Sequence, residues 1–230
     1  QNLYLTLPSC SEDIDKLNTK KMLQSIETLE DGSIIGFWLI EETEDELIAL
    51  IDNRSDLLDA MASFSSEKRR LEFVATRVLL KNMLKEEKTI AYTPDGYPFL
   101  TDNSYNISIS HTGKYVGIIL NKYRKVGIDI EKISDKVLRV RDKYLSEYEQ
   151  NFVEKNNAKV HLTLMWCAKE AVYKIVNNIK IDSINQICIS PFIPYIEGTM
   201  EVQETYTDQK SEFVVNYRVE PSVCKVWTVK

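Results

Sequence analysis

Two long stretches of helical periodicity, one in each half of the chain and each bracketed by short strands, constrain the fold more than any other feature of this sequence. The first is expected to start at an N-cap on Ser65 or Ser66 and run to about Lys85. Its apolar stripe is Leu71, Val74, Ala75, Val78, Leu79 and Met83. The second runs from about Lys159 to Val176 and ends near Asn177-Asn178. Between and around them the pattern changes to strands: Ile34–Ile40, Tyr105–Ser110, Tyr115–Leu120, Val126–Ile130, and several more from Ile187 onward. Glu46–Met61 has helical spacing, Pro94-Asp95-Gly96-Tyr97-Pro98 is a turn, and Ser146-x-x-Glu149 is a capping box opening a further helix. Helices set among short strands, twice over, predict an α+β fold rather than a parallel α/β sheet. The polar stretch Asn121-Lys122-Tyr123-Arg124-Lys125 is the expected boundary, which gives an N-terminal lobe over 1–122 and a C-terminal lobe over 123–230.

At 230 residues the chain can bury a substantial core, either as one body or as two half-size lobes. Its longest apolar run, Ile34–Ile40, is far too short to span a bilayer as a helix. No basic-then-apolar segment opens the sequence, so the expected location is the cytoplasm. Cys10, Cys167, Cys188 and Cys224 form no C-x-x-C pair and read as free thiols. His111 and His161 are the only histidines, which excludes a multi-histidine metal site and leaves oxygen ligands for any cation. The net charge of −6 is unevenly spread. Residues 11–60 are strongly acidic, whereas 68–88 and 121–143 are basic and able to focus an anion locally. The plain alternative for such runs is a solvated helix face.

Four constellations can carry chemistry. In Gly127-Ile128-Asp129-Ile130-Glu131, strand alternation puts Asp129 and Glu131 on one face, about 6–7 Å apart, with Ile128 and Ile130 turned to a core. Two such carboxylates can share a hard cation, or simply form a charged outer face. In Trp166-Cys167-Ala168-Lys169-Glu170-Ala171-Val172-Tyr173-Lys174, Glu170 and Lys174 stand one helical turn apart among apolar and aromatic neighbours. The alternative there is an exposed ion pair of little consequence. Ser110-His111, where a strand enters a turn, offers a hydroxyl, an imidazole and backbone N–H groups to a phosphate, or is an unliganded turn. Glu67-Lys68-Arg69-Arg70, with Arg77 farther along the same helix, supplies cations suited to phosphate oxygens, or merely solubility.

Taken in order, Ser110-His111, then Gly127–Glu131, then Trp166-x-x-Lys169-Glu170-Ala171-x-x-Lys174, the sequence resembles the 4′-phosphopantetheinyl transferases. The closer likeness is to their surfactin-type class, and it runs from Arg69 to about Asn177. The resemblance implies two similar lobes related by a pseudo-twofold axis, each a small antiparallel sheet packed against helices, with coenzyme A in the cleft between them. It implies that Asp129, Glu131 and Glu170 hold Mg2+, or Mn2+ in its place, with the pyrophosphate of coenzyme A. Glu170 is then also the base for the acceptor serine, with Lys174 and Lys169 neutralising the pyrophosphate. Ser110 and His111 would contact coenzyme A phosphates, and Lys68, Arg70 and Arg77 the 3′-phosphate end. Relatives read G-K-P before the Ser-His strand, whereas this chain has Gly96-Tyr97-Pro98, so an uncharged Tyr97 stands where a lysine approaches the nucleotide.

The implied reaction moves the phosphopantetheine arm to a serine of an acyl or peptidyl carrier protein in fatty acid, polyketide or nonribosomal peptide synthesis. The basic segment from Lys132 to Lys143 would dock that carrier. A monomer is expected, with neither nucleic acid nor membrane as partner. Two other readings stay open: a non-catalytic paralogue that binds coenzyme A or a carrier, and a metal-dependent phosphoanhydride hydrolase.

Overall fold

The computed structural model describes residues 24–176, 182 and 185–230. Cys10 and the expected helix end at Asn177-Asn178 lie outside the described residues. The fold is α+β with antiparallel sheets, as the sequence pattern predicts.

In the first half, β1 (Gln24–Thr28) and β2 (Ile34–Leu39) pair with β5 (Asn106–Thr112) and β6 (Tyr115–Asn121) in an antiparallel sheet of order β1-β2-β6-β5. Three helices lie between β2 and β5 in the chain: α1 (Glu44–Ala49), α2 (Arg54–Met61) and the long α3 (Glu67–Leu84). A small hairpin, β3 (Ile90–Tyr92) with β4 (Pro98–Leu100), encloses the Pro94–Pro98 turn, where Gly96 takes a φ of +87°. In the second half, β7 (Val126–Lys132) leads to α4 (Lys136–Val140), α5 (Glu147–Asn151) and the long α6 (Ala158–Val176). β8 (Ile187–Ile189), β9 (Glu197–Glu204), β10 (Glu212–Val219) and β11 (Val223–Val229) complete a sheet of order β7-β11-β10-β9-β8.

Period-two alternation explains how these parts stack. Trp38 of β2 and Ile40 just past its end join Val74, Val78, Leu79 and Met83 of α3, while Ile35 and Phe37 face the other way. Ile35 and Phe37 meet Ile119 of β6, Val126, Ile128 and Ile130 of β7, and Trp227 of β11. The two sheets therefore share an apolar joint, and each buries its other face under its own long helix. Each fully buried Ile or Leu in such a joint contributes about 1.5–3 kcal/mol. With Ile128 and Ile130 committed to the joint, Asp129 and Glu131 must point to the α6 side of β7.

The edges of the two sheets come together at β5 and β7. No backbone ladder joins these strands, and serine hydroxyls bridge them instead: Ile128 donates its N–H to Ser108 Oγ (3.2 Å) and Ile130 to Ser110 Oγ (3.1 Å). On the opposite face of β7, α6 approaches so closely that a Cβ on Gly127 would lie 2.0 Å from the carbonyl oxygen of Ala171.

One expected helix is corrected. Glu46–Met61 is two helices, α1 and α2, separated at Leu50–Asn53. The break is held by distant charges, which helical spacing cannot reveal. Glu87 accepts the N–H groups of Asp52 (2.5 Å) and Asn53 (3.2 Å), and Lys81 Nζ donates to the Leu50 carbonyl (2.9 Å). α1 starts on a capping box, Thr43 with Glu46, and α5 on the expected one, Ser146 with Glu149. α3 starts after Ser66, whose side chain makes no capping hydrogen bond. Among the described residues no helix is long and apolar enough to cross a membrane.

Candidate active site

A cleft of about 810 Å3 opens between α3 and the β3–β4 hairpin on one side and the C-terminal half of α6 on the other. From α6 it is lined by Glu170, Tyr173, Lys174 and Ile175, while their neighbours Ala171 and Val172 are buried against the second sheet. That amphipathic split turns Glu170 and Lys174 outward together.

Asp129, 8% exposed, is fixed from two directions. Lys174 Nζ donates to its Oδ1 (2.9 Å) and to the carbonyl of Ile128 (2.7 Å), and Ser110 Oγ donates to the same Oδ1 (2.8 Å). Glu131 follows the same pattern two residues on, with Thr112 Oγ1 donating to its Oε1 (2.9 Å). The Ser110–Thr112 strand end and the Asp129–Glu131 strand thus form a side-chain ladder. Burial raises the Glu170 carboxyl above the ordinary carboxylate range, and the negative charge of Asp129 raises it further. Lys174 opposes that rise and Glu131 adds a smaller push upward. The three carboxylates are therefore within electrostatic reach of one another.

They do not form a preassembled coordination sphere: among the described residues, no group of three or more His, Cys, Asp or Glu side chains is placed to hold an ion. The donor set is nevertheless what a hard cation takes, namely carboxylate oxygens whose mutual repulsion a positive charge relieves. The Lys174 ammonium stands at Asp129 in that role.

The structure redistributes the expected phosphate ligands. His111 is at the cleft, half-exposed, with Nδ1 3.4 Å from Glu72 Oε2. Ser110 is buried, and its hydroxyl is spent on Asp129 and Ile130 rather than offered to a ligand. Arg70 turns away from the cleft: its Nε donates to Glu44 (2.9 Å) and its Nη1 to the Phe64 carbonyl (3.2 Å), tying α3 to α1. Its neighbour Arg69 lines the cleft instead. Lys68 pairs with Glu72 at 3.3 Å on the outer side of α3. Arg77 stands behind the cleft wall, its guanidinium carbon 3.3 Å from the centre of the Phe73 ring. Burial lowers that guanidinium to about 10, and the adjacent Tyr92 opposes the shift.

Lys169 is the clearest displacement from expectation. It sits about 100° around α6 from Glu170 and is only 2% exposed. Its Nζ meets Glu149 Oε2 at 2.8 Å. Glu149, 1% exposed, also accepts the N–H of Ile189 (3.0 Å) and of Ser146 (2.8 Å). The pair is a buried tie between α5, α6 and β8, away from the cleft lining.

Arg69, read in the sequence only as part of a basic run, shares the cleft face of α3 at helical spacing with Glu72, Phe73 and Thr76, which the sequence reading did not single out; they lie beside the apolar stripe, where periodicity could have exposed them. Tyr173 faces Tyr97 across the cleft, and burial together with that neighbour pushes the Tyr97 phenol up to about 12. His161 is structural: buried near the start of α6, it accepts the Glu154 N–H (2.9 Å) and packs on Phe192, with burial lowering it to about 4.

Residues 125–220 match the family model of the 4′-phosphopantetheinyl transferase superfamily. The matched stretch contains Asp129, Glu131, Glu170 and Lys174, and supports a transferase that carries phosphopantetheine to carrier proteins. Ser110, His111 and the α3 wall lie outside it. No curated protein matches the chain.

Proposed function

We propose that this protein transfers the 4′-phosphopantetheine arm of coenzyme A to a serine of an apo acyl or peptidyl carrier protein, with release of adenosine 3′,5′-bisphosphate and dependence on Mg2+. The observation that carries the reading is the meeting of Glu170 and Lys174 of α6 with Asp129 of β7 at one end of a cleft walled by Arg69 and His111. Acidic groups for a divalent ion and basic groups for phosphates stand side by side there, which is the arrangement phosphoryl transfer requires.

In this reading Asp129, Glu131 and Glu170 would hold the metal, with Lys174 turned from Asp129 toward the substrate pyrophosphate. Bound there, Mg2+ would supply neutralisation of phosphate charge. Glu170 accepts the proton of the carrier serine as its oxygen forms the new bond to the β-phosphorus. The bond from that phosphorus to the bridging oxygen breaks, and Lys174 faces the charge left on the bisphosphate. General-base help of this kind is worth about 10²–10⁴-fold. Tyr97 and Tyr173 offer aromatic surface to the nucleotide, in place of the lysine that relatives carry. Two sheets, each with one long helix of 18 and 19 residues respectively, support two similar lobes meeting near Lys122–Lys125.

The test is intact-mass spectrometry of an apo carrier incubated with coenzyme A, Mg2+ and the protein. A mass gain of one phosphopantetheine, lost in Asp129→Asn and Glu170→Gln, is expected. Coenzyme A cleavage without a carrier would favour a hydrolase, and coenzyme A binding without any turnover a regulatory paralogue.

A further inference from the structure

Glu72 is the one acidic side chain of α3 that is buried against the cleft, and nothing in the reading above uses it. It is 6% exposed and lines the cleft wall. Its carboxylate forks between two basic side chains: Oε2 lies 3.4 Å from His111 Nδ1 on β5, and Oε1 lies 3.3 Å from Lys68 Nζ one turn back on α3. The Lys68 contact is an ion pair without hydrogen-bond geometry, so Oε1 remains a buried acceptor lacking a hydrogen-bond donor. A buried carboxylate with one oxygen lacking a hydrogen bond costs stability, which its ion pairs only partly offset.

We propose that Glu72 is a positioning residue of the anion-binding wall, holding His111 with Nδ1–H toward α3 so that Nε2 faces a phosphate of the substrate. This rests on the reading that coenzyme A occupies the cleft. The physical reason is that an imidazole has two distinct nitrogens, and the partner of one decides what the other presents. His111 sits at a strand end, half-exposed, with no other described side chain fixing its ring. Without Glu72 the ring is free to rotate, and either nitrogen can carry the proton. With it, Nδ1 is turned to the carboxylate across 3.4 Å, and Nε2 is the nitrogen left to face the cleft, as a donor whenever the ring is protonated. The same carboxylate pairs with Lys68 on the outer side of α3, and Arg69 lines the cleft beside it.

The proposal separates positioning from mere support of α3, because it demands that Glu72 act through His111. The experiment is a double-mutant cycle on the full chain, read as Kd for adenosine 3′,5′-bisphosphate by calorimetry and as KM and kcat for coenzyme A. Glu72→Gln and His111→Gln are each expected to raise Kd and KM about tenfold, with kcat changed less than about threefold. The double variant is expected to be no weaker than His111→Gln alone. Losses that add in the double variant, or a fall in kcat with KM unchanged, would overturn the proposal. Glu72→Asp, which keeps the charge and shortens its reach, supplies a second reading if Glu72→Gln folds poorly: weakened binding supports positioning, and unaltered binding rejects it. In the nitrogen NMR spectrum, neutral His111 should carry its proton on Nδ1 in the wild type and shift toward Nε2 in Glu72→Gln. A wild-type protein that binds neither coenzyme A nor the bisphosphate would sink the reading of the cleft itself, a result distinct from either outcome of the cycle.

Discussion

Lys169 and Glu149 form a buried ion pair at 2.8 Å, and Glu170, the residue after Lys169, faces the cleft on another side of the same helix. The pair adds to the apolar packing of Ala168, Ala171 and Val172 that holds the rotation of α6 and with it the direction of Glu170. Removing one member strands a buried charge, a loss of about 3–5 kcal/mol. Lys169→Met is expected to lower the urea midpoint accordingly. Lys169→Met combined with Glu149→Gln should recover part of the loss: no charge is left unpaired, and the single amide oxygen of glutamine still accepts the N–H of Ile189 or of Ser146, though not both. Equal destabilisation by the single and double variants would show that the charge itself is not the cost.

Gly127 sets the distance between β7 and α6. Its Cβ would meet backbone, the Ala171 carbonyl oxygen at 2.0 Å, which cannot turn aside as a side chain can. Gly127→Ala is expected to cost about 3 kcal/mol, the upper end for overpacking, and to separate Lys174 from Asp129. Gly117→Ala is the control: its Cβ would meet the flexible end of Ile130 at 2.5 Å, and it should cost less. Chemical denaturation checks the ranking, and transfer activity should fall further for Gly127→Ala than its stability loss explains.

Glu170 carries a pH signature. Its carboxyl is raised by burial and by Asp129, so the folded protein holds that proton over a range where the unfolded chain has released it. The stability this contributes is complete below the ordinary carboxylate value and is lost as pH rises through the raised one. Glu170→Gln should therefore be more stable than the wild type at neutral pH without metal. The same proton competes with a divalent ion, so Mn2+ affinity measured by calorimetry should climb with pH just above the ordinary carboxylate range, by up to about tenfold per unit. The Glu170→Gln variant should show a flatter dependence and weaker binding. A wild-type affinity independent of pH would remove Glu170 from the metal set.

The basic segment after β7 presents Lys136, Arg139 and Arg141 to solvent, while Val137 anchors α4 in the core. Lys136 lies 5.8 Å from the half-buried Trp166 ring, beside Glu131. Changing the three cations to glutamate is expected to raise KM for an acidic carrier about tenfold or more and to weaken its salt dependence. KM for coenzyme A should be unaffected. Unchanged carrier kinetics would reject docking on this segment.

Much of the fold was legible in local pattern. The alternation of Val126–Glu131 places Ile128 and Ile130 in the joint between the sheets and both acids on the α6 side. The helical spacing of Leu162–Lys174 turns Glu170 and Lys174 to the cleft together. The single helix expected over Glu46–Met61 failed because Glu87 and Lys81, 31 to 35 residues away, supply the groups that cap a break at Leu50–Asn53.

What the sequence alone determined is which residues share a side of a strand or helix, because that follows from backbone period and needs no neighbour. Tertiary structure decided what each side meets. It gave Ser110 to Asp129 instead of a ligand, put Arg69 rather than Arg70 on the cleft, buried Lys169 against Glu149, and set Glu72 behind His111. Those pairings join residues on separate elements, and a charged side chain takes the partner that packing brings within about 3–4 Å, a distance no spacing along the chain encodes.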